Sequence, residues 1–62
     1  MDVWLIYRIF KNAENRVERI ESVEYCLSEA DARKYSRLFD LQTPIDLRDK
    51  ISHKYFLSQI LE

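Results

Sequence analysis

Few residues in this chain are of a type that does chemistry, and their spacing does not assemble them. Cys26 is the only cysteine and His53 the only histidine of the 62 residues. A thiol–imidazole pair is the one nucleophile-and-base combination they could form. Cys26 falls at the end of an apolar segment, where a small buried cysteine is commonplace, and His53 sits beside Lys54 and near Asp49. The expectation is a structural thiol and a solvated histidine at the start of a strand. Ser22, Ser28, Ser36, Ser52 and Ser58 have no base placed near them by sequence. A metal site needs three or four ligands, and no Cys/His set supplies them. Glycine is absent, so no glycine-rich phosphate loop can form. The reading is a non-enzyme with no cofactor and no metal.

Charge gives two further groupings. Glu18, Glu21 and Glu24, with Glu14 and Glu29, crowd the middle third. They read as a solvated outer face, or as an acidic surface facing a basic partner. Arg33, Lys34 and Arg37 form the basic counterpart, which could contact phosphate but also simply complements a helix dipole. The net charge of -1 supplies no overall attraction to nucleic acid or to an anionic membrane, and no apolar run reaches the length of a spanning helix. A lone cysteine without an export signal points to a reducing, cytoplasmic setting.

The elements that must position these residues follow from patterning. Val3 to Phe10 (VWLIYRIF) is β-branched and aromatic and reads as a strand. Lys11 to Asn15 is polar, and without glycine the turn is expected to be a loop of roughly four or five residues, not a tight hairpin. Arg16 to Leu27 has two readings. As a strand, Val17, Val23, Tyr25 and Leu27 share a face and Ile20 takes the other, unless a bulge near Glu21–Ser22 joins the parities. As a helix, Val17, Ile20, Glu24 and Leu27 are suitably spaced. The strand is preferred because it gives the first strand a neighbour.

Ser28 is a good N-cap, with Glu29 and Asp31 in the first turn. A helix is expected from Glu29 to Phe39 or Asp40, with Ala32, Tyr35, Leu38 and Phe39 as its apolar stripe and Leu27 stapled onto Ala32. Thr43–Pro44 could open a short helical turn. The last segment, about Ser52 to Leu61, reads as a closing strand, with a C-terminal helix from Pro44 as the competitor.

These elements give one domain over residues 1–62, of the α+β class: β-β-α-β, a three-stranded antiparallel sheet in the order 2-1-3 with one main helix on one face. A chain this short buries only about 60% of its unfolded surface, so a partner or a second copy is the stabiliser still available to it. The central strand is apolar on both faces apart from Arg8, and one helix covers only one. The other face is expected to bind a protein partner, and Trp4, Ile6 and Phe10, with Tyr55 and Phe56 nearby, are the residues assigned to it. A small nucleic-acid-binding protein using Arg33, Lys34 and Arg37, and a homodimeric scaffold, are the alternatives.

The layout of a hairpin, then Tyr25-Cys26-Leu27-Ser28-Glu29-Ala30 leading into one helix, then a closing Tyr55-Phe56-Leu57 strand, resembles small phage-encoded proteins of the anti-CRISPR kind. The resemblance is one of layout across most of the chain. It implies a compact inhibitor that occupies a surface of a larger host nucleoprotein complex, and it carries over no functional residue.

Overall fold

A computed structural model describes residues 2–59. The chain forms β1 (Asp2–Lys11), β2 (Val17–Cys26), α1 (Glu29–Gln42), a single 3-10 turn (Ile45–Leu47) and β3 (Ile51–Gln59). The sheet has three strands in the order β2-β1-β3, antiparallel throughout, with α1 on one face. Class, strand order and the strand character of both uncertain segments are as the patterning predicts. The last residues of the expected closing strand, Ile60 and Leu61, lie outside the described residues.

The β1–β2 loop shows how a chain without glycine turns a corner. Asn12 accepts at its Oδ1 from the backbone N–H groups of Glu14 and Arg16, both at 3.0 Å. Asn15 then takes the left-handed backbone region, φ 66°, which asparagine tolerates better than other residues with a Cβ. The loop spans Asn12–Arg16, within the expected length.

Strand β2 carries two irregularities. Ile6 pairs with Glu24 and Tyr7 with Ser22, leaving Val23 over; Phe10 pairs with Arg19 and Lys11 with Val17, leaving Glu18 over. The first lies one residue beyond the expected bulge. Together they place Val17, Ile20 and Tyr25 on one face, opposite Lys11, Ile9 and Leu5, while Val23 turns to the other face and packs on the core. Both parities of the segment are thereby satisfied by a strand.

Ser28 caps α1, its Oγ accepting from the Asp31 N–H at 3.2 Å. At the other end the helix runs past Asp40 to Gln42, because its last carbonyls find donors. Thr43 donates through Oγ1 to the Phe39 carbonyl at 2.9 Å, and Arg48 reaches back from the 3-10 turn to the carbonyls of Thr43 (3.1 Å) and Leu41 (2.9 Å). Orphan carbonyls at a helix end need such partners. The buried line of α1 is Ala32, Ser36 and Phe39, with Thr43 at its cap. Tyr35 and Leu38, expected in the stripe, are exposed. The stripe rotates because Ser36 is buried with its hydroxyl satisfied by the Arg33 carbonyl at 3.0 Å. The expected Leu27 staple does not form a buried contact, since Leu27 is 67% exposed.

The core is small. Ile6 is fully buried between Cys26 and Ala32, with Trp4, Val23, Phe39 and Tyr55 packed around it.

Candidate functional site

The parity of β1 is decided by what α1 covers. Successive strand residues point to opposite faces, and Ile6 lies beneath the helix, so Trp4, Ile6, Arg8 and Phe10 form the helix-side face. The other face carries Val3, Leu5, Tyr7 and Ile9, of which Val3 is buried and the rest are half-buried. This corrects the sequence assignment of Trp4, Ile6 and Phe10 to the uncovered face. Ile6 is 0% exposed and reaches no partner. Trp4 is half-buried and packs its ring against Tyr55, with centroids 5.9 Å apart. Phe10 is half-buried beneath the Arg19 guanidinium, 4.1 Å from its ring centre. Tyr55 pairs with Ile6 and so shares the helix side, whereas Phe56 pairs with Leu5 and lies on the open face. Both sets of the Val3–Phe10 alternation are apolar apart from Arg8, and that one charged member lies on the covered side, bonded to His53, which is why sequence could not set the parity.

The open face is apolar along β1 and mixed at its flanks, where Ser22 and Lys54 lie opposite Tyr7 and Ser52 lies opposite Ile9. Leu5, Tyr7 and Ile9 run down its centre, half-buried by their neighbours. Tyr25 (63% exposed), Ile20 and Val17 flank them on β2, and Phe56 (53% exposed) on β3. Tyr7 and Phe56 pack rings at 5.6 Å with an interplanar angle of 57°, an edge-tilted geometry that aromatic pairs favour. Lys54, opposite Tyr7 on β3, is the charged side chain of its centre.

Across the sheet, sequence reasoning missed a polar relay. His53 is not a solvated strand-start residue; it is 5% exposed and stacks on Phe39 with ring centres 5.4 Å apart. Asp40 Oδ1 accepts from both the His53 backbone N–H (2.9 Å) and Nδ1 (2.8 Å). Arg8 Nε donates to His53 Nε2 at 3.0 Å. A guanidinium has no acceptor to offer, so Nε2 is bare and Nδ1 carries the proton that goes to Asp40. The tautomer is fixed by its two neighbours. The pair resembles the His–carboxylate half of a catalytic triad, but the nitrogen that a general base presents to substrate is occupied by Arg8. The sequence signal that could have found it is the alignment of Arg8 with the histidine on the neighbouring strand, which appears only once the β1–β3 register is known.

Cys26 lies opposite Trp4 on β2, whereas His53 lies opposite Arg8 on β3, so strand β1 separates thiol from imidazole. Burial pushes the Cys26 thiol above its ordinary value of about 9, and the carboxylates of Asp31 and Glu24 add to the shift. Since the folded chain holds this proton more tightly than the unfolded chain, the associated stability is complete below about pH 9 and is lost as pH rises through the folded value. Urea midpoints measured across the alkaline range are expected to fall more steeply for the natural chain than for Cys26→Ala.

The charged groupings are partly self-satisfied. Glu21 pairs with Arg19 at 3.3 Å and Glu24 accepts from the Tyr25 N–H at 3.0 Å. Arg33 meets Glu29 at 4.0 Å and the Tyr55 hydroxyl at 3.4 Å, and Lys34 lies 5.9 Å from the Tyr35 ring centre. Arg37 is exposed on the same helix. Glu18, Glu21 and Glu24 lie along β2, an edge strand, where charge and bulges discourage pairing with another chain. Among the described residues no group of three or more His, Cys, Asp or Glu is placed to hold a metal ion, and no helix is long and apolar enough to cross a membrane.

These features define a class, a small α+β domain with one helix-covered and one open sheet face. No protein-family model, curated protein or solved structure matches the chain.

Proposed function

We propose that this chain is a non-enzymatic protein-binding domain that docks its open sheet face on an apolar surface of a heterologous protein. The observation that carries this reading is the uncovered aromatic and aliphatic face of Leu5, Tyr7, Ile9, Ile20, Tyr25 and Phe56. Its counterpart is the small core around Ile6, Cys26 and Ala32, which leaves a domain of this size short of buried apolar area. The finer reading, an inhibitor of the anti-CRISPR kind seated on a larger host nucleoprotein complex, rests on the layout resemblance and extends this proposal.

The test is capture of a partner from the cell of origin by the purified chain, beside the double variant Tyr25→Asp, Phe56→Asp. Both positions are exposed, so circular dichroism should show the fold retained. The expected result is a partner held equally at low and high salt and lost by the double variant. Retention by the variant would refute the open-face assignment. Binding that collapses with salt and with Arg37→Ala would favour phosphate contact instead. Sedimentation showing a mass that doubles with concentration, and reverts in the double variant, would make a second copy the occupant.

A further inference from the structure

Helix α1 packs most on β3 and least on β2, and its last turn reaches the hairpin end of the sheet near Phe10 and Ile51. There the last turn of α1 and the chain following it stand over β1 and β3 and enclose a cleft of about 320 Å3, lined by Arg8, Phe10, Phe39, Thr43, Pro44 and Ile51. A second depression of about 380 Å3, lined by Phe10, Glu18 and Arg19, adjoins the first at Phe10. The two meet at Phe10, so the concave surface extends beyond the first cleft.

At the groove floor lies a cation with unused donors. Arg8 is half-buried and its Nε is held by the His53–Asp40 relay, which fixes the plane of the guanidinium. Its terminal nitrogens remain, and among the described residues no ion pair includes Arg8. Glu21, its cross-strand neighbour, is turned to Arg19. A planar, pre-oriented fork in a partly desolvated site matches a carboxylate bidentately. The walls beside it, Phe39, Pro44 and Ile51, are apolar. Glu21 next to Arg8 and Glu18 in the second depression disfavour a multiply charged phosphate.

We propose that this groove docks an extended acidic segment of a partner protein, one carboxylate entering the fork of Arg8 and an adjacent apolar side chain resting on Phe39, Pro44 and Ile51. A peptide fits better than a compact ligand because the concavity continues past Phe10. The site lies on the opposite side of the sheet from the open apolar face and stands independently of it.

The experiment is a titration of the isotopically labelled full chain, followed by amide and Arg8 Nε–H resonances, with the acetylated peptide amide Leu-Asp-Phe-Glu-Leu and its Asn/Gln counterpart. The acidic peptide should shift Arg8 Nε–H, Phe10 and Thr43 saturably, and the neutral one should bind at least roughly tenfold more weakly. Arg8→Lys should weaken the acidic peptide by a similar factor. Gln42→Glu, which adds a carboxylate at an exposed position lining the cleft, should weaken it without touching the relay and serves if Arg8→Lys fails to fold. Equal binding of both peptides, indifference to Gln42→Glu, or no shifts at millimolar peptide would overturn the proposal. So would phenylacetate or inorganic phosphate saturating the site as tightly as the peptide, since the groove would then serve a free anion. The double variant Tyr25→Asp, Phe56→Asp should bind the peptide unchanged, which separates this site from the open face.

Discussion

Ile6→Ala is expected to cost ~3 kcal/mol of folding stability. The isoleucine is fully buried, is the largest side chain in that condition, and sits where β1, β2 and α1 meet through Cys26 and Ala32. Truncating a buried isoleucine removes its transfer free energy and leaves a cavity, together ~2–5 kcal/mol. Domains hold roughly 0.05–0.15 kcal/mol per residue of net stability, so for a chain of this length the loss takes a large part of the margin. Urea unfolding followed by Trp4 fluorescence reads it directly. Leu57→Ala, on the same face of the sheet but 49% exposed, should cost under about 1 kcal/mol. If the two variants proved equally mild, the core would not be centred on Ile6.

The second large effect lies in the relay. Asp40→Ala takes away the single oxygen that accepts from both the backbone and the ring of His53. Each buried donor left without a partner costs about 1–3 kcal/mol. The Asp40 side chain is itself 48% exposed, so water reaches part of the vacated position, and a total loss of ~2 kcal/mol is expected. Asp40→Asn keeps an oxygen in place and should cost less than half as much. The nitrogen resonances of the imidazole supply the second readout. In the natural chain Nδ1 should appear protonated and Nε2 bare, and in Asp40→Ala that preference should weaken. A mild Asp40→Ala with an unchanged tautomer would show that the relay does not hold the ring. The same variant should loosen Arg8, whose Nε is anchored on Nε2, and blunt the acidic-peptide shifts.

Much of the architecture was readable from local chemistry. A β-branched and aromatic run made β1 a strand, Ser28 with Glu29 and Asp31 marked the start of α1, and asparagines at the hairpin substituted for the missing glycine. Those are decisions taken within a few residues, where capping and turn geometry act. The strand order followed from economy of connection, since three strands and one helix have few ways to close. The bulges were half visible. Mixed parity in β2 required one, but the second, at Glu18, depended on fitting the Asn12–Arg16 loop to the strand ends.

The apolarity of β1 on both faces, Arg8 apart, was determined by the sequence alone, because residue types and a period of two suffice for it. Which face is open, and hence that Phe56 and Tyr25 border it while Ile6 lies in the core, was decided only in three dimensions. A strand with no polar side carries no mark of its outside, so the choice passed to the helix and to the small residues, Ala32 and Ser36, that let it lie over Ile6. The Asp40–His53–Arg8 relay was likewise hidden. Its members are far apart in the chain and come together only through the β1–β3 register and the last turn of α1, contacts that no local pattern encodes.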